Sequence, residues 1–341
     1  MPTITKMKFA ALFTMGVLLA VLILAPGTAR AEYPEKPVTV IVPWKPGGGT
    51  DVLARAVTPI WEKELGQPII VVNKPGGNNI VGYKSFLDTD DDGYTMVLGQ
   101  GPNVSINMLF QNAPYKTDDM HFINLFQKDV FMFYVNKEAP WQTLEDLIAD
   151  AKKRPGEIKL GTVVVKSIAS VFIKEFEEKF GIKFGGMIPM GGGGTLRREV
   201  VGGHLMLAAH GAWVARGGKG LVRGLGVRAL ERSPIWPEAQ AFNELLPDDK
   251  KYTKDDIETL PAVIKGFAVH ASLKTKHPER FAKLVSSFEA AMKTPEWAAM
   301  IKKHEMESAF QYFGPDQTKK VIDSLTKILK ENKAIFEGPG K

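Results

Sequence analysis

The chain has 341 residues, 44% of them hydrophobic and 24% charged, which is enough apolar sequence for one large core or two ordinary ones. Its formal charge of +6 includes Lys6, Lys8 and Arg30, and the segment 1–31 contains no acid, so the rest of the chain carries only +3. No long basic block is present, and nucleic acid is therefore not an expected partner. The absence of cysteine excludes disulfide bonds and thiol catalysis.

The N-terminal segment 1–31 has the three parts of a secretory signal peptide. Lys6 and Lys8 precede an apolar run from Phe9 to Ala25, and the small residues Ala29 and Ala31 form a cleavage site. An uncleaved membrane anchor is the alternative, although the run is at the short limit for spanning a bilayer. We therefore expect cleavage near Ala31 and export to the periplasm.

The segments that follow alternate between strand and helix. The runs VTVIV (38–42), IIVV (69–72) and TMVLG (95–99) are typical of short buried strands. Apolar residues at helical spacing predict a helix from Asp51 to Leu65, which Gly66 ends. This order predicts a β-α-β-α-β unit with a parallel sheet.

A second unit of the same kind is predicted after Val130. Strands are expected at 131–136, 158–165 and 221–227, and helices at 143–156, 167–181 and 196–203. A further strand over 262–270 precedes helices at 278–292, 295–304 and about 315–333. Two such units with loops at the strand ends fit an α/β protein of two lobes with a cleft between them.

Two glycine loops precede predicted helices, PWKPGGGTD (43–51) and MIPMGGGGTLRRE (187–199). Glycine lets backbone N–H groups face a ligand, and the helix dipole favours negative charge at such a point. Neither loop has the Gly-Lys-Ser/Thr of a nucleotide P-loop. The loops are consistent with an anion cradle, and a simple tight turn from strand to helix remains the alternative.

The order of motifs resembles that of the extracytoplasmic receptors of tripartite tricarboxylate transporters, the Bug family. The run YPEKPVTVIVPWKPGGGTDVLAR is followed by LGQPIIVVNKPGGNNIVG and DDGYTMVLG, and later by LIADAKKRPGEIKLGT, RSPIWPEAQAF and TPEWAAMIKKH. The resemblance implies a type II periplasmic-binding fold of two α/β lobes that hold a small organic carboxylate. It also implies delivery of that acid to membrane permease subunits, and we expect the receptor to be a monomer.

The resemblance also implies a domain division and a set of ligand contacts. The first lobe is expected to comprise the segments 32–134 and 259–341, and the second lobe the segment 135–258. The positions that match the family's ligand-binding loops are Trp44, Lys45, Pro46, Gly47, Gly48, Gln100, Asn103, Ser105, Thr162, Lys166, Ser167, His210 and Gly211.

Several residues depart from the family pattern. Lys45 and Lys166 each replace a small neutral residue, Ser170 stands where His is usual, and Met206 stands where Asp is common. If both ammonium groups flank the ligand, the ligand is expected to carry at least two negative charges. The alternative is that both lysines point into solvent, as most lysines do.

Other chemistry is not expected from this sequence. The segment DTDDDG (88–93) begins like a calcium loop, but the twelfth position is Gly99 and not the required Glu. The histidines form no zinc motif, and no Gly-x-Ser-x-Gly elbow occurs. We therefore expect no metal, no cofactor and no catalytic residues. A carboxylate-binding sensory module remains the alternative to transport, and a hydrolase or transferase is the least favoured class.

Overall fold

The computed structural model describes residues 32–259 and 263–337, and the predicted signal peptide lies outside the described residues. Within that part of the chain the strands are β1 (Val38–Val42), β2 (Ile69–Asn73), β3 (Thr95–Gln100), β4 (Met120–Phe122), β5 (Leu125–Asp129), β6 (Phe131–Asn136), β7 (Leu160–Thr162), β8 (Met187–Pro189), β9 (Leu207–Gly211), β10 (Val222–Val227), β11 (Gln240–Ala241), β12 (Val263–His270) and β13 (Phe310–Phe313).

The α-helices of the described residues lie between and after these strands. They are α1 (Gly49–Leu65), α2 (Ile80–Leu87), α3 (Gly101–Phe110), α4 (Leu144–Lys153), α5 (Ile168–Phe180), α6 (Gly193–Val201), α7 (Ala212–Ala215), α8 (Lys254–Thr259), α9 (Leu273–Lys276), α10 (Pro278–Ala291), α11 (Pro295–Lys303), α12 (Pro315–Glu331) and α13 (Ala334–Glu337). None of these helices combines the length and apolar character needed to cross a bilayer.

The strands form two mixed sheets. The first has the order β13-β5-β12-β3-β1-β2, with β4 also paired to β12, and the second has the order β11-β10-β6-β9-β7-β8. In the first sheet β1 is parallel to β2 and β3, and β12 is antiparallel to β3 and β5. In the second sheet β7 is parallel to β8 and β9, whereas β6 is antiparallel to β9 and β10. Two β-α units with parallel strands therefore each carry added antiparallel strands.

Each sheet buries its own group of aromatic rings. On the first sheet the rings of Trp61 and Phe267 have centroids 4.8 Å apart, and the indole N–H of Trp61 donates to Ser287 Oγ at 2.9 Å. On the second sheet Phe176 packs against Phe133 at 4.7 Å and against Phe242 at 4.9 Å. Such rings bury large apolar areas, and two separate groups of them give the chain two centres of packing.

The sheets also bear on the predicted domain limits. The expected boundary between Tyr134 and Val135 falls inside β6, and all of β6 belongs to the second sheet. The strand β5 belongs to the first sheet and ends at Asp129. On this assignment the first crossing between the sheets lies at Val130, and the lobe limits remain a proposal with that adjustment.

Two predicted elements differ from the structure near the cleft. The segment 163–165 does not continue β7, because the chain bends there before α5 and Ser167 Oγ donates to the carbonyl of Val164 at 3.0 Å. The segment after β3 is not a loop but the first turn of α3, which has Pro102 near its start and Gln100 as its extended N-cap. Proline is favoured at this point of a helix because its missing N–H would be unpaired anyway.

The close packing of β12 against the connection between β4 and β5 leads to a stability prediction. A Cβ atom on Gly266 would lie 1.8 Å from the carbonyl oxygen of Asn124, a backbone atom that cannot rotate away. We expect Gly266→Ala to lower the free energy of unfolding by at least about 2 kcal/mol in urea denaturation. Gly314→Ala, whose new methyl group would meet only contacts of 3.7 Å, should cost less than about 1 kcal/mol. Equal losses would show that β12 can move away from Asn124.

Candidate ligand-binding cleft

A cavity lies between the loops of the two sheets. Its volume is about 60 Å³. Eight of the thirteen predicted site residues line it, namely Trp44, Lys45, Gly48, Gln100, Asn103, Ser167, His210 and Gly211. Most of the motif positions therefore lie around one cavity, and their contact with a ligand stays a prediction.

Four helices begin at this cavity. The N-terminus of α1 contributes Gly49, that of α3 follows Gln100, that of α5 contributes Ile168, and that of α6 contributes Gly193. Each N-terminus carries unpaired N–H groups and a partial positive charge. No Asp or Glu is among the described residues that line the cavity. The local field is therefore suited to an anion.

The first glycine loop is held in shape by Asp51. The backbone N–H of Gly47 donates to Oδ2 of Asp51 at 2.9 Å, and Arg55 Nε and Asn73 Nδ2 both donate to Oδ1 at 2.9 Å. Asn73 Nδ2 also donates to the carbonyl of Trp44 at 3.1 Å. Asp51 is buried and its carboxylate braces its own loop, so the acidic residue at the start of α1 does not oppose an anion in the cavity.

The two glycine loops approach each other closely across the cleft. A Cβ atom on Gly194 would lie 2.9 Å from the carbonyl oxygen of Gly47, so a side chain there would push the two loops apart. A Cβ atom on Gly49 of the first loop would lie 2.6 Å from the side chain of Val214 in α7. The glycines therefore permit close approach of the two loops, which goes beyond the tight-turn interpretation.

Lys265 is the main cavity residue that sequence reasoning missed. It lies on β12 between Gln100 of β3 and Gln127 of β5, and only 1% of it is exposed. Its Nζ has no hydrogen-bond partner among the described residues, and neither amide atom of the buried Gln127 has one. Burial lowers the pKa of Lys265 to about 8, although the carboxylate of Asp129 opposes this shift. A lone lysine within the apolar strand AVIKGFAVH was the available signal, because buried lysines are rare.

Asp129 is a second buried charge beside this strand. Burial raises its pKa to about 6, and the N–H of Trp213 and the charge of Lys265 limit that rise. The N–H of Trp213 donates to both carboxylate oxygens, at 3.0 and 3.2 Å. A Cβ atom on Gly211 would lie 2.2 Å from Asp129 Oδ2, so only glycine fits at this position. Asp129 thus fixes the turn from β9 into α7 that forms one side of the cavity.

His210 lines the cavity as a neutral imidazole at neutral pH. Burial and the nearby charge of Lys265 lower its pKa to about 3. Its Nδ1 has no hydrogen-bond partner among the residues the structure describes, and neither has the indole Nε1 of Trp44. These two ring nitrogens are polar atoms without a protein partner, and buried polar groups are normally hydrogen-bonded.

Five predicted site residues do not line the cavity. Ser105 is interior and its Oγ lies 2.6 Å from Thr326 Oγ1, and Thr162 Oγ1 donates to the carbonyl of Val164 at 3.3 Å. The remaining three, Pro46, Gly47 and Lys166, are exposed. Their part in binding stays a prediction.

The backbone of Lys166 instead joins the two sides of the cleft. Its carbonyl accepts from Asn78 Nδ2 at 3.2 Å and from Gln111 Nε2 at 3.3 Å. Asn107 orients both donors, because its Nδ2 donates to the Asn78 carbonyl at 3.0 Å and its Oδ1 accepts from Gln111 Nε2 at 2.8 Å. We call these bonds onto the Lys166 carbonyl the cross-cleft contact.

An α/β chain of two sheets that enclose a cavity rich in donor groups has the fold of the periplasmic binding proteins. A Rhodopseudomonas palustris protein solved with adipate superposes with a TM-score of 0.77 at 19% identity, covering 89% of this chain and 98% of that one. MatC from the same organism, solved with malate, gives a TM-score of 0.70 at 19% identity, covering 89% and 99%. The predicted two-lobed periplasmic-binding fold is confirmed.

The family follows from the sequence comparisons. The family model described as "Tripartite tricarboxylate transporter family receptor" matches residues 53–337. The UPF0065 protein of the gbd 5′ region of Cupriavidus necator is 27% identical over 324 residues, covering 92% of this chain and 91% of the relative. This chain belongs to the family of tripartite tricarboxylate transporter receptors, and the resemblance found in the sequence motifs is confirmed.

The neutral state of His210 predicts how stability changes with pH. Because its pKa falls from an ordinary 6.5 to about 3, the unfolded chain binds a proton that the folded chain does not, once the pH drops below about 6.5. His210 should therefore cost about 2 kcal/mol of stability at pH 5 and almost nothing at pH 7.5. Urea denaturation at both pH values should show a smaller acid loss in His210→Gln than in the unmodified protein, by about this amount. The same pH dependence in both proteins would contradict the burial of His210.

Proposed function

We propose that this chain is a periplasmic receptor that captures a small organic carboxylate and delivers it to a tripartite tricarboxylate-type membrane transporter. The observation that carries the proposal is the convergence of four helix N-termini on one cavity that no described Asp or Glu lines. Anions bind readily at such termini because the N–H groups are unpaired and the dipole is favourable.

The side chains of the cavity support binding without turnover. The hydroxyl of Ser167 donates to the Val164 carbonyl, and the hydroxyl of Thr50 accepts from Gln100 Nε2 at 3.2 Å. Neither hydroxyl is hydrogen-bonded to His210 in the described part of the chain, so the nucleophile–base pair of acyl-transfer enzymes is not assembled there. The family is likewise one of receptors.

Two further considerations support a carboxylate as the captured solute. Proteins of the same fold have been solved with adipate and with malate, which are both small organic acids. The family is that of the tripartite tricarboxylate transporter receptors, and the signal-peptide pattern of the segment 1–31 fits a periplasmic receptor. Of the two lysines that suggested a di- or multi-anionic ligand, Lys45 lines the cavity and Lys166 does not.

A thermal-shift panel of mono-, di- and tricarboxylates tests the proposal. A ligand at one hundred times its dissociation constant should add about 2.7 kcal/mol, which for a chain of this size corresponds to a rise of several degrees in Tm. Native mass spectrometry of freshly purified protein should identify the same acid. A flat panel with folded protein would overturn the proposal.

A matched pair of variants shows whether the response comes from this cavity. Ala169 lines the cavity and is half-buried, so Ala169→Trp should fill the space and abolish the thermal shift. Ala290 is half-buried at the far end of α10, and Ala290→Trp should leave the shift intact. A shift that survives in Ala169→Trp would place the binding site elsewhere.

A further inference from the structure

A strip of polar side chains crosses the first sheet beside the cavity. Lys265 on β12 is paired in register with Gln100 of β3 on one side and with Gln127 of β5 on the other. Residues opposite each other in antiparallel strands place their side chains on the same face of the sheet. Lys265 and Gln127 are buried, and both Lys265 and Gln100 line the cavity. The strip therefore brings a buried ammonium group to the wall of the cavity.

The ammonium group of Lys265 has no acceptor within the described chain. Its Nζ makes no hydrogen bond there, although an ammonium carries three N–H donors. The nearby carboxylate of Asp129 accepts from the N–H of Trp213 instead, at 3.0 and 3.2 Å. A buried charge without a hydrogen-bond acceptor is strongly unfavourable. An anion in the cavity would supply the acceptor that the protein does not.

The charged groups around Lys265 compensate its ammonium only in part. Burial lowers the pKa of Lys265 to about 8, against the attraction of Asp129 on β5 and with a smaller repulsion from Arg216, which follows α7. His210 on β9 is neutral, and Lys45 of the first glycine loop is itself a cation, so neither supplies a negative charge. Above pH 8 most ligand-free molecules therefore carry Lys265 as a neutral amine.

We propose that the Lys265 ammonium binds the carboxylate of the captured acid, and that capture is coupled to protonation of this lysine. The carboxylate accepts a hydrogen bond from Nζ, and its negative charge favours the charged form of the amine. A neutral Lys265 therefore takes a proton from solvent onto the lone pair of Nζ when the acid enters, and no other covalent bond forms or breaks. This inference rests on the proposed function, to which it adds a specific contact and a pH dependence of capture.

Titration calorimetry at pH 8.5 measures the proton uptake. The probes are malate, adipate, benzoate and citrate, and the acid that binds most tightly is titrated in Tris and in triethanolamine. Both buffers are cations, which do not compete for an anion site, and their heats of ionisation differ. About three quarters of Lys265 is neutral at this pH, whereas Asp129 is ionised and His210 is neutral. We expect an uptake of at least about 0.4 proton per bound acid.

Lys265→Met removes the proposed contact. Methionine has nearly the same length and no charge, so affinity for the chosen acid at pH 7 should fall at least tenfold and the uptake at pH 8.5 should disappear. Lys63→Met is the matched control, because Lys63 is exposed and its Nζ lies 3.6 Å from Glu296 Oε1 and not at the cavity. This control should bind and take up protons as the unmodified protein does.

Asp129→Asn separates the two buried groups that could take up the proton. Asparagine keeps an oxygen that can accept from the N–H of Trp213. The attraction that raises the pKa of Lys265 is lost, so uptake should persist with its maximum at a lower pH. The double variant Lys265→Met/Asp129→Asn should take up no proton between pH 7 and 9. It leaves no buried carboxylate uncompensated, and it replaces Lys265→Met if the single variant does not fold.

The outcomes distinguish this inference from the proposed function. Acid binding without proton uptake at pH 8.5 would overturn the inference and leave the proposed function standing. An affinity within threefold of the unmodified protein after loss of the Lys265 ammonium would do the same. Uptake that disappears in Asp129→Asn would assign the proton to Asp129 and also overturn the inference. If none of the four acids binds to folded, unmodified protein, the proposed function fails, and the inference fails with it.

Discussion

A helix that follows a parallel strand begins at the carboxyl edge of its sheet, and this constraint determines where a ligand can bind in the chain. The helices α1, α3, α5 and α6 all start at such edges, and the two sheets turn those edges toward one cavity. The positive potential of the cavity therefore comes from the backbone and needs no dedicated cluster of arginines. Asp51 supports this arrangement because it holds the first glycine loop in shape. Gly49 and Gly194 support it because they permit close packing across the cleft.

Two buried side-chain charges contribute to the electrostatic potential of the cavity in addition to the backbone dipoles. Lys265 and Asp129 lie on adjacent strands of the first sheet, yet the ammonium makes no hydrogen bond within the described residues. Burial of an incompletely paired charge lowers the free energy of unfolding. Such charges are therefore rare in ordinary cores and are found more often at functional sites. The same pair joins the cavity to the crossing at Val130, because Asp129 also holds the turn that begins α7. The cavity lining and the junction between the sheets thus share one pair of buried charges.

The sequence predicted the fold well because its strands and helices have strong periodicity. The strands at 38–42 and 131–136 match the structure residue for residue, and the limits of α10 and α11 agree within one residue. Composition and spacing could not predict β5 and β13, which pair with residues far away in the chain. Lys265 was missed for a related reason: its significance depends on the neighbouring Gln100 and Gln127, which only the sheet register brings beside it. Lys166 was selected by motif position, and a motif does not state which way a side chain points.

The cross-cleft contact has a consequence for how this receptor can evolve. Its acceptor is the main-chain carbonyl of Lys166, and its donors are the amides of Asn78 and Gln111 on the opposite side. A carbonyl is present whatever side chain the position carries, so the side chains around the cavity can change without loss of these bonds. The donors are oriented by Asn107, which is buried and does not line the cavity. The cross-cleft contact and the cavity lining therefore depend on different residues, so substitutions in the lining can accumulate while the contact is kept.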